Sequence, residues 1–216
     1  DIDLAYKLIE VAKESGADAV KFQTAVPELV MTNNAEQAVY QKVNTGKEES
    51  QIDMARRIHL PLSAYAELKD YCDIVGIEFL STPFDNKSIE TLIQLEIPIF
   101  KVPSGEITNF PYLVKIAQYQ HPVILSTGMA NLGEIEDAIN VLINNGLNRE
   151  DITLLHATTE YPAPLEDVNL RAINTISESF KVKVGYSDHT KGIEVPIAAV
   201  ALGATAPTYI KAALAH

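Results

Sequence analysis

A chain of 216 residues is one domain by length and long enough for a full core, and 47% hydrophobic with 21% charged residues is the make-up of an ordinary soluble globular protein. Its 17 basic against 29 acidic residues give a formal charge of −12, which argues against the basic footprint of a nucleic-acid binder but not against local lysines that take a small anion. No apolar run approaches the ~20 residues that cross a bilayer, no signal-peptide pattern is present, and the single cysteine, Cys72, rules out an internal disulfide. The expectation is a cytoplasmic protein with neither nucleic-acid nor membrane partners.

The chain opens with helical spacing over 3–15, where Leu4, Leu8, Val11 and Ala12 share a face and Gly16 is the stop. A short buried strand over 17–24 follows. Residues 25–60 read as irregular and polar, and a connection of that length is usually functional or mobile. Pro61 opens a helix over 62–75 that Gly76 closes. From there strand and helix alternate: strand 77–82, helix 86–95, strand 98–103, helix 110–119, strand 122–127, helix 132–145, strand 151–157, helix 168–179, strand 181–187 and helix 193–202. The last run, ATAPTYI, reads as a weak strand that Pro207 makes doubtful. Continuous apolar strands separated by helices predict a parallel sheet covered on both faces. The expected fold class is α/β, a (β/α)8 TIM barrel with its first strand absent and its last strand atypical. A doubly wound open sheet is the alternative, and no GxGxxG or GxxxxGK[ST] loop supports nucleotide binding there.

Small polar and charged residues close one strand after another, and in a barrel all such ends meet at one mouth. Lys21 and Lys101 each lie inside an apolar strand, where a lysine loses hydration and needs an anion or an acid. An internal ion pair explains one such lysine; two at matching strand ends point to anion binding. Ser104-Gly105 and Ser126-Thr127-Gly128 offer hydroxyls and unobstructed backbone N–H groups to phosphate oxygens, or are plain turn chemistry. His156 and His189 stand where a metal ligand or acid–base group would stand, although a buried histidine is more often simply hydrogen-bonded. Glu106 and Glu160 are strand-end carboxylates whose plain reading is a solvated loop acid. Cys72 beside Tyr71 reads as packing, and His59 and His121 as structural.

Seven stretches in register resemble the sialic acid synthase family: GADAVKFQT, ESQ at 49–51, EFLSTPFD, KVPSGE, ILSTGMA, LLHATTEYPAP with DVNL, and GYSDHT, together spanning residues 16–190. The resemblance implies a barrel domain over 1–216 that condenses phosphoenolpyruvate with an N-acetylated hexose, using a divalent metal, manganese or alternatively magnesium. It places phosphoenolpyruvate on Lys21, Thr82, Lys101, Ser104, Ser126 and Ser187, the sugar on Gln23 and Glu106, and one metal ligand on His189. Lys101 and Glu106 are the candidate catalytic residues, and the intact protein is expected to be a homodimer. Against the family pattern the first-strand EIGxNHxG-like motif and the C-terminal antifreeze-like domain are absent. Ile210 stands where a second metal histidine is expected, and Ala157 where cysteine is frequent. In the implied reaction C3 of phosphoenolpyruvate attacks the sugar aldehyde, which the metal polarises; water then adds at C2 and phosphate leaves. Two rivals stand beside it: a synthase that takes a phosphosugar, which calls for a second basic cluster the strand ends do not show, and a non-catalytic barrel that binds anions or scaffolds a dimer. Residues 35–53, with Tyr40, Asn44 and ESQ, resemble neuraminic and legionaminic synthases more than pseudaminic ones.

Overall fold

The computed structural model describes residues 1–37, 42, 46 and 49–205. The chain's packing divides into two units, one running from Asp1 to Ile97 and the other beginning at Pro98.

The first unit holds α1 (Ile2–Glu14), β1 (Ala19–Thr24), α2 (Pro27–Val30), α3 (Gln51–Ile58), α4 (Ala64–Val75), β2 (Glu78–Pro83) and α5 (Asn86–Gln94). Each helix starts or stops for a local reason. The Asp1 carboxylate caps α1 by accepting from Asp3 N–H, Ser50 caps α3, and Asp85 caps α5. Gly76, at φ +77°, ends α4 in the left-handed region that a side chain would strain. Strands β1 and β2 pair in parallel, with Lys21 opposite Leu80 and Gln23 opposite Thr82. Side chains alternate along a strand, so Lys21, Gln23, Leu80 and Thr82 share one face, while Phe22 and Phe79 stack on the other, 5.6 Å between ring centroids.

Residues 25–60 differ from the irregular connection expected. They contain α2 and α3, and Glu36 bridges Ser50 in an antiparallel contact. Buried Gln37 fastens this segment: its Nε2 donates to Met54 Sδ, and its Oε1 accepts from Glu49 N–H. The weak local signal of α3 is offset by this tertiary anchoring, which no periodicity reveals.

The second unit holds β3 (Phe100–Val102), α6 (Phe110–Gln118), β4 (Val123–Ser126), α7 (Leu132–Asn144), β5 (Ile152–Ala157), α8 (Ala172–Phe180), β6 (Lys183–Ser187) and α9 (Glu194–Ala201). Asn131 and Glu134 form a reciprocal capping box at the start of α7. The helix expected from 168 begins at Ala172, because Asn169 takes a positive φ of 42° and the chain turns over 170–171 before the helix can start. The strands pair in parallel in the order β3-β4-β5-β6. Chain order and spatial order agree without the reversal of a doubly wound sheet, which is how the wall of a (β/α) barrel is laid down. Ile99, Ile124 and Leu155 pack together on the face that Lys101 and Ser126 share. The opposite face, with Phe100, Val102, Leu125, Leu154 and Val184, is buried, and α8 packs on β5 and β6. Ile210 and the weak strand expected after Thr205 lie outside the described residues.

Candidate functional site

In the first unit, strand alternation puts Lys21 and Gln23 on the same face as Thr82, which is 2% exposed. Lys21 is only partly covered at its surface, yet protein surrounds it densely enough that desolvation pulls its ammonium down to about 8. No hydrogen bond or ion pair to it occurs among the described residues. Around this face the backbone is held firmly. The Tyr65 hydroxyl of α4 donates to the Gln23 carbonyl at 2.6 Å, and burial pushes that phenol up to about 12, so it stays a donor. Asp85 accepts from Val26 N–H at 2.8 Å and from Ser88 N–H and Oγ, which ties the chain leaving β1 to the start of α5.

In the second unit, Lys101 is 6% exposed and its ammonium donates to Ser126 Oγ and to its neighbour's carbonyl, Val102 O, each at 2.7 Å. These two predicted site residues therefore touch. Ser104 Oγ accepts from Gly128 N–H at 3.0 Å, so that N–H is engaged inside the protein rather than offered to a phosphate as the sequence suggested. Gly128 is glycine because of close approach: an added Cβ would lie 2.6 Å from Thr159 Cγ2, 3.0 Å from Ser104 Oγ and 3.2 Å from Ala157 O. Glu106 closes a 3-10 turn over Ser104–Glu106, and its Oε2 accepts from Asn109 Nδ2 at 2.6 Å. That bond aims the carboxylate without neutralising it.

At the end of β6, buried Ser187 and half-buried His189 are in hydrogen-bond contact, Oγ to Nε2 at 3.3 Å. Tyr161 meets the His189 ring edge-on, 4.5 Å between centroids, and Ala163 N–H donates to the His189 carbonyl at 2.9 Å. The segment after β5 thus braces the segment after β6. Tyr161 and Asp85 fall inside the family-like stretches and Tyr65 in the expected helix 62–75, but none was singled out, because their roles depend on partners far along the chain.

His156 separates from this group. It alternates onto the helix-facing side of β5 with Tyr186, its Nε2–H donates to Val168 O at 2.7 Å, and burial holds its pKa below the usual imidazole value. It is an anchoring residue. Cys72 is fully buried, and burial pushes its thiol up to about 12, which suits packing rather than reactivity. Tyr40 and Asn44 lie outside the described residues.

A metal needs several side-chain ligands converging on it. Among the described residues no group of three or more His, Cys, Asp or Glu side chains is placed to hold one, and His189 stands as a single imidazole. No helix among the described residues is long and apolar enough to cross a membrane.

A model of the NeuB family matches residues 8–206. The N,N'-diacetyllegionaminic acid synthase of Campylobacter jejuni is 54% identical over 94% of this chain and 61% of its own length; the Legionella pneumophila protein of the same name is 45% identical, over 94% and 58%. The human N-acetylneuraminate-9-phosphate synthase is 37% identical over 94% of this chain and 56% of its own length. Among solved structures, the N-acetylneuraminic acid synthetase of Leptospira borgpetersenii, in complex with citrate, superposes with TM-score 0.80 at 31% identity, covering 94% of this chain and 66% of that one. The DAHP synthase of Thermotoga maritima, at 16% identity and TM-score 0.67, covering 94% of this chain and 55% of that one, shares the fold alone. The fold class is the (β/α)8 barrel of these neighbours, as expected. The chain spans about three fifths of the length of the curated relatives it matches.

Proposed function

The chain belongs to the NeuB family, and on that premise we propose that it is the barrel part of a nonulosonic acid synthase, which joins phosphoenolpyruvate to an N-acetylated hexose and releases phosphate. One observation carries the reading: Lys21 is a desolvated ammonium with no anion beside it among the described residues, on the strand face it shares with Gln23 and Thr82. A cation in that state is a site for an anionic ligand.

In this reading Lys21, Thr82, Lys101, Ser104, Ser126 and Ser187 hold the carboxylate and phosphate of phosphoenolpyruvate. Lys101 and Ser126 are already engaged with each other, which supports them as a preorganised pair, with no reorientation needed as charge moves onto the departing phosphate. Gln23 and Glu106 orient the sugar hydroxyls. C3 of phosphoenolpyruvate forms the new carbon–carbon bond with the aldehyde carbon, whose oxygen takes a proton; in this reading Glu106 manages that proton. Water adds at C2, the C2–O bond breaks, and inorganic phosphate departs. A divalent metal, manganese or magnesium, belongs to this reading with His189 as one ligand; the steps above rest on this chain's own residues. The legionaminic relatives at 54% and 45% identity support a diacetamido hexose as acceptor. The protein is read as a cytoplasmic homodimer.

The test is incubation with phosphoenolpyruvate and a panel of N-acetylhexosamines and diacetamido hexoses, with manganese, reading phosphate release and the mass of a nine-carbon keto acid. Release with one acceptor, abolished in Lys101→Ala, is expected. No product with any acceptor, with phosphoenolpyruvate still bound, supports the anion-binding barrel instead.

A further inference from the structure

The turn that presents Ser187 and His189 is carried by a buried acid to which the synthase reading gives no role. Along β6 side chains alternate: Ser187 faces the side of Lys101 and Ser126, whereas Tyr186 faces the helices, and Asp188 follows just past the strand end. Asp188 is 5% exposed. Its Oδ1 accepts twice from Thr190, from N–H at 3.0 Å and from the hydroxyl at 2.7 Å. Among the described residues its buried Oδ2 has no partner, and the buried hydroxyl of Tyr186, itself 0% exposed, has none either. The two groups feel each other. Burial first, and then the charge of Asp188, push the Tyr186 phenol up to about 12, so it keeps a proton to donate. Folded proteins seldom leave a buried donor and a buried acceptor unpaired, and where they do, a water with several polar contacts generally joins them. His156 lies against the Tyr186 ring on the same side, 5.7 Å between centroids, but its Nε2–H is engaged with Val168 O.

We propose that Asp188 is the positioning residue of the β6 end: one carboxylate oxygen clamps the turn through Thr190, and the other shares a single buried water with the Tyr186 hydroxyl. The turn is then moored to the helix-facing side of the sheet while Ser187 and His189 are offered to the other. The ring of His189, between Ser187 Oγ and Tyr161, takes its orientation from that mooring. This deepens the synthase reading by naming what holds its β6 residues in place.

The test does not need turnover. A high-resolution crystal structure of the protein is expected to show one ordered water within hydrogen-bond distance of Tyr186 Oη and Asp188 Oδ2, and Tyr186→Phe is expected to lose it. The ring ¹H–¹⁵N signals of His189, assigned by their loss in His189→Gln, should shift or broaden in Asp188→Ala. They should return in Asp188→Asn, which keeps the Oδ1 acceptor for Thr190. If Asp188→Ala does not fold, Thr190→Val, which removes only the hydroxyl donor, should move the same signals. A dry gap in a map that shows other buried waters, or His189 signals unmoved in folded Asp188→Ala or Thr190→Val, overturns the proposal. A protein that shows the water and the shifts but makes no nonulosonic acid leaves the mooring standing and strikes only the synthase reading.

Discussion

Lys21 and Lys101 are the same residue type in the same setting, an apolar parallel strand, and the protein treats them oppositely. Lys101 is buried with its ammonium on Ser126 Oγ and Val102 O. Lys21 has no such contacts among the described residues, and desolvation brings it down to about 8. The first is tied into the wall of the fold; in the proposed reading the second is the one that takes a ligand. A lysine in a strand therefore says nothing about function until its partners are counted, and the lysine with none is the sharper functional marker.

The largest effect that can break this comparison is Lys101→Met. It strands two buried acceptors, so stability should fall by about 3 kcal/mol, read as a lower urea midpoint, and phosphoenolpyruvate binding should be lost as well. Lys21→Met should do the reverse: an unchanged or higher melting temperature, with phosphoenolpyruvate binding weakened roughly ten- to hundredfold by calorimetry, the weight of one charge-assisted contact. Equal loss of stability in the two variants would erase the distinction. Gly128→Ala probes how fully the second unit's strand ends are packed. Its Cβ would meet Thr159 and the Ala157 carbonyl, so a loss of about 1–3 kcal/mol is expected, with no loss if Thr159 simply swings aside.

Acidity sharpens the contrast further. The free protein's Lys21 loses its proton near pH 8 and an anion needs it charged, so phosphoenolpyruvate affinity should weaken as pH rises through about 8. Lys21→Arg should flatten that profile, since a guanidinium does not titrate there. The smallest effect belongs to His156. Burial lowers its folded pKa, so the unfolded chain binds the proton more readily, and stability should decline as pH falls below ~6.5. His156→Gln should remove that slope from the melting curve while keeping a donor for Val168 O.

Much of the fold was legible because it is written locally. All six strands expected are present, within one or two residues at most ends, since parallel strands buried on both faces read as continuous apolar runs. Helix α3 was not read from the sequence, because part of what holds it, the contact of Gln37 with its own Met54, is made from outside the helix. The strand-end residues could be named from sequence, but their states could not. That Gly128 N–H is spent on Ser104 Oγ, that His156 points to the helices, and that Asp188 has one oxygen satisfied and one not are all matters of pairing across the chain.

The clamp at the end of β1 bears on how the chain can change. The excursion over residues 25–60 leaves that strand end at Val26, which Asp85 holds, and comes back to it at Tyr65, whose hydroxyl holds the Gln23 carbonyl. Both roots are fastened to one point, and the closure entropy of what lies between grows only slowly with its length. Changes of length on the exposed side of that span can be accepted while Lys21 and Gln23 keep their place, provided the buried Gln37, Ile52, Met54 and Ala55 are kept. Two hydrogen bonds thus divide the first unit into a strand end whose shape is fixed and an excursion whose exposed side is free to vary.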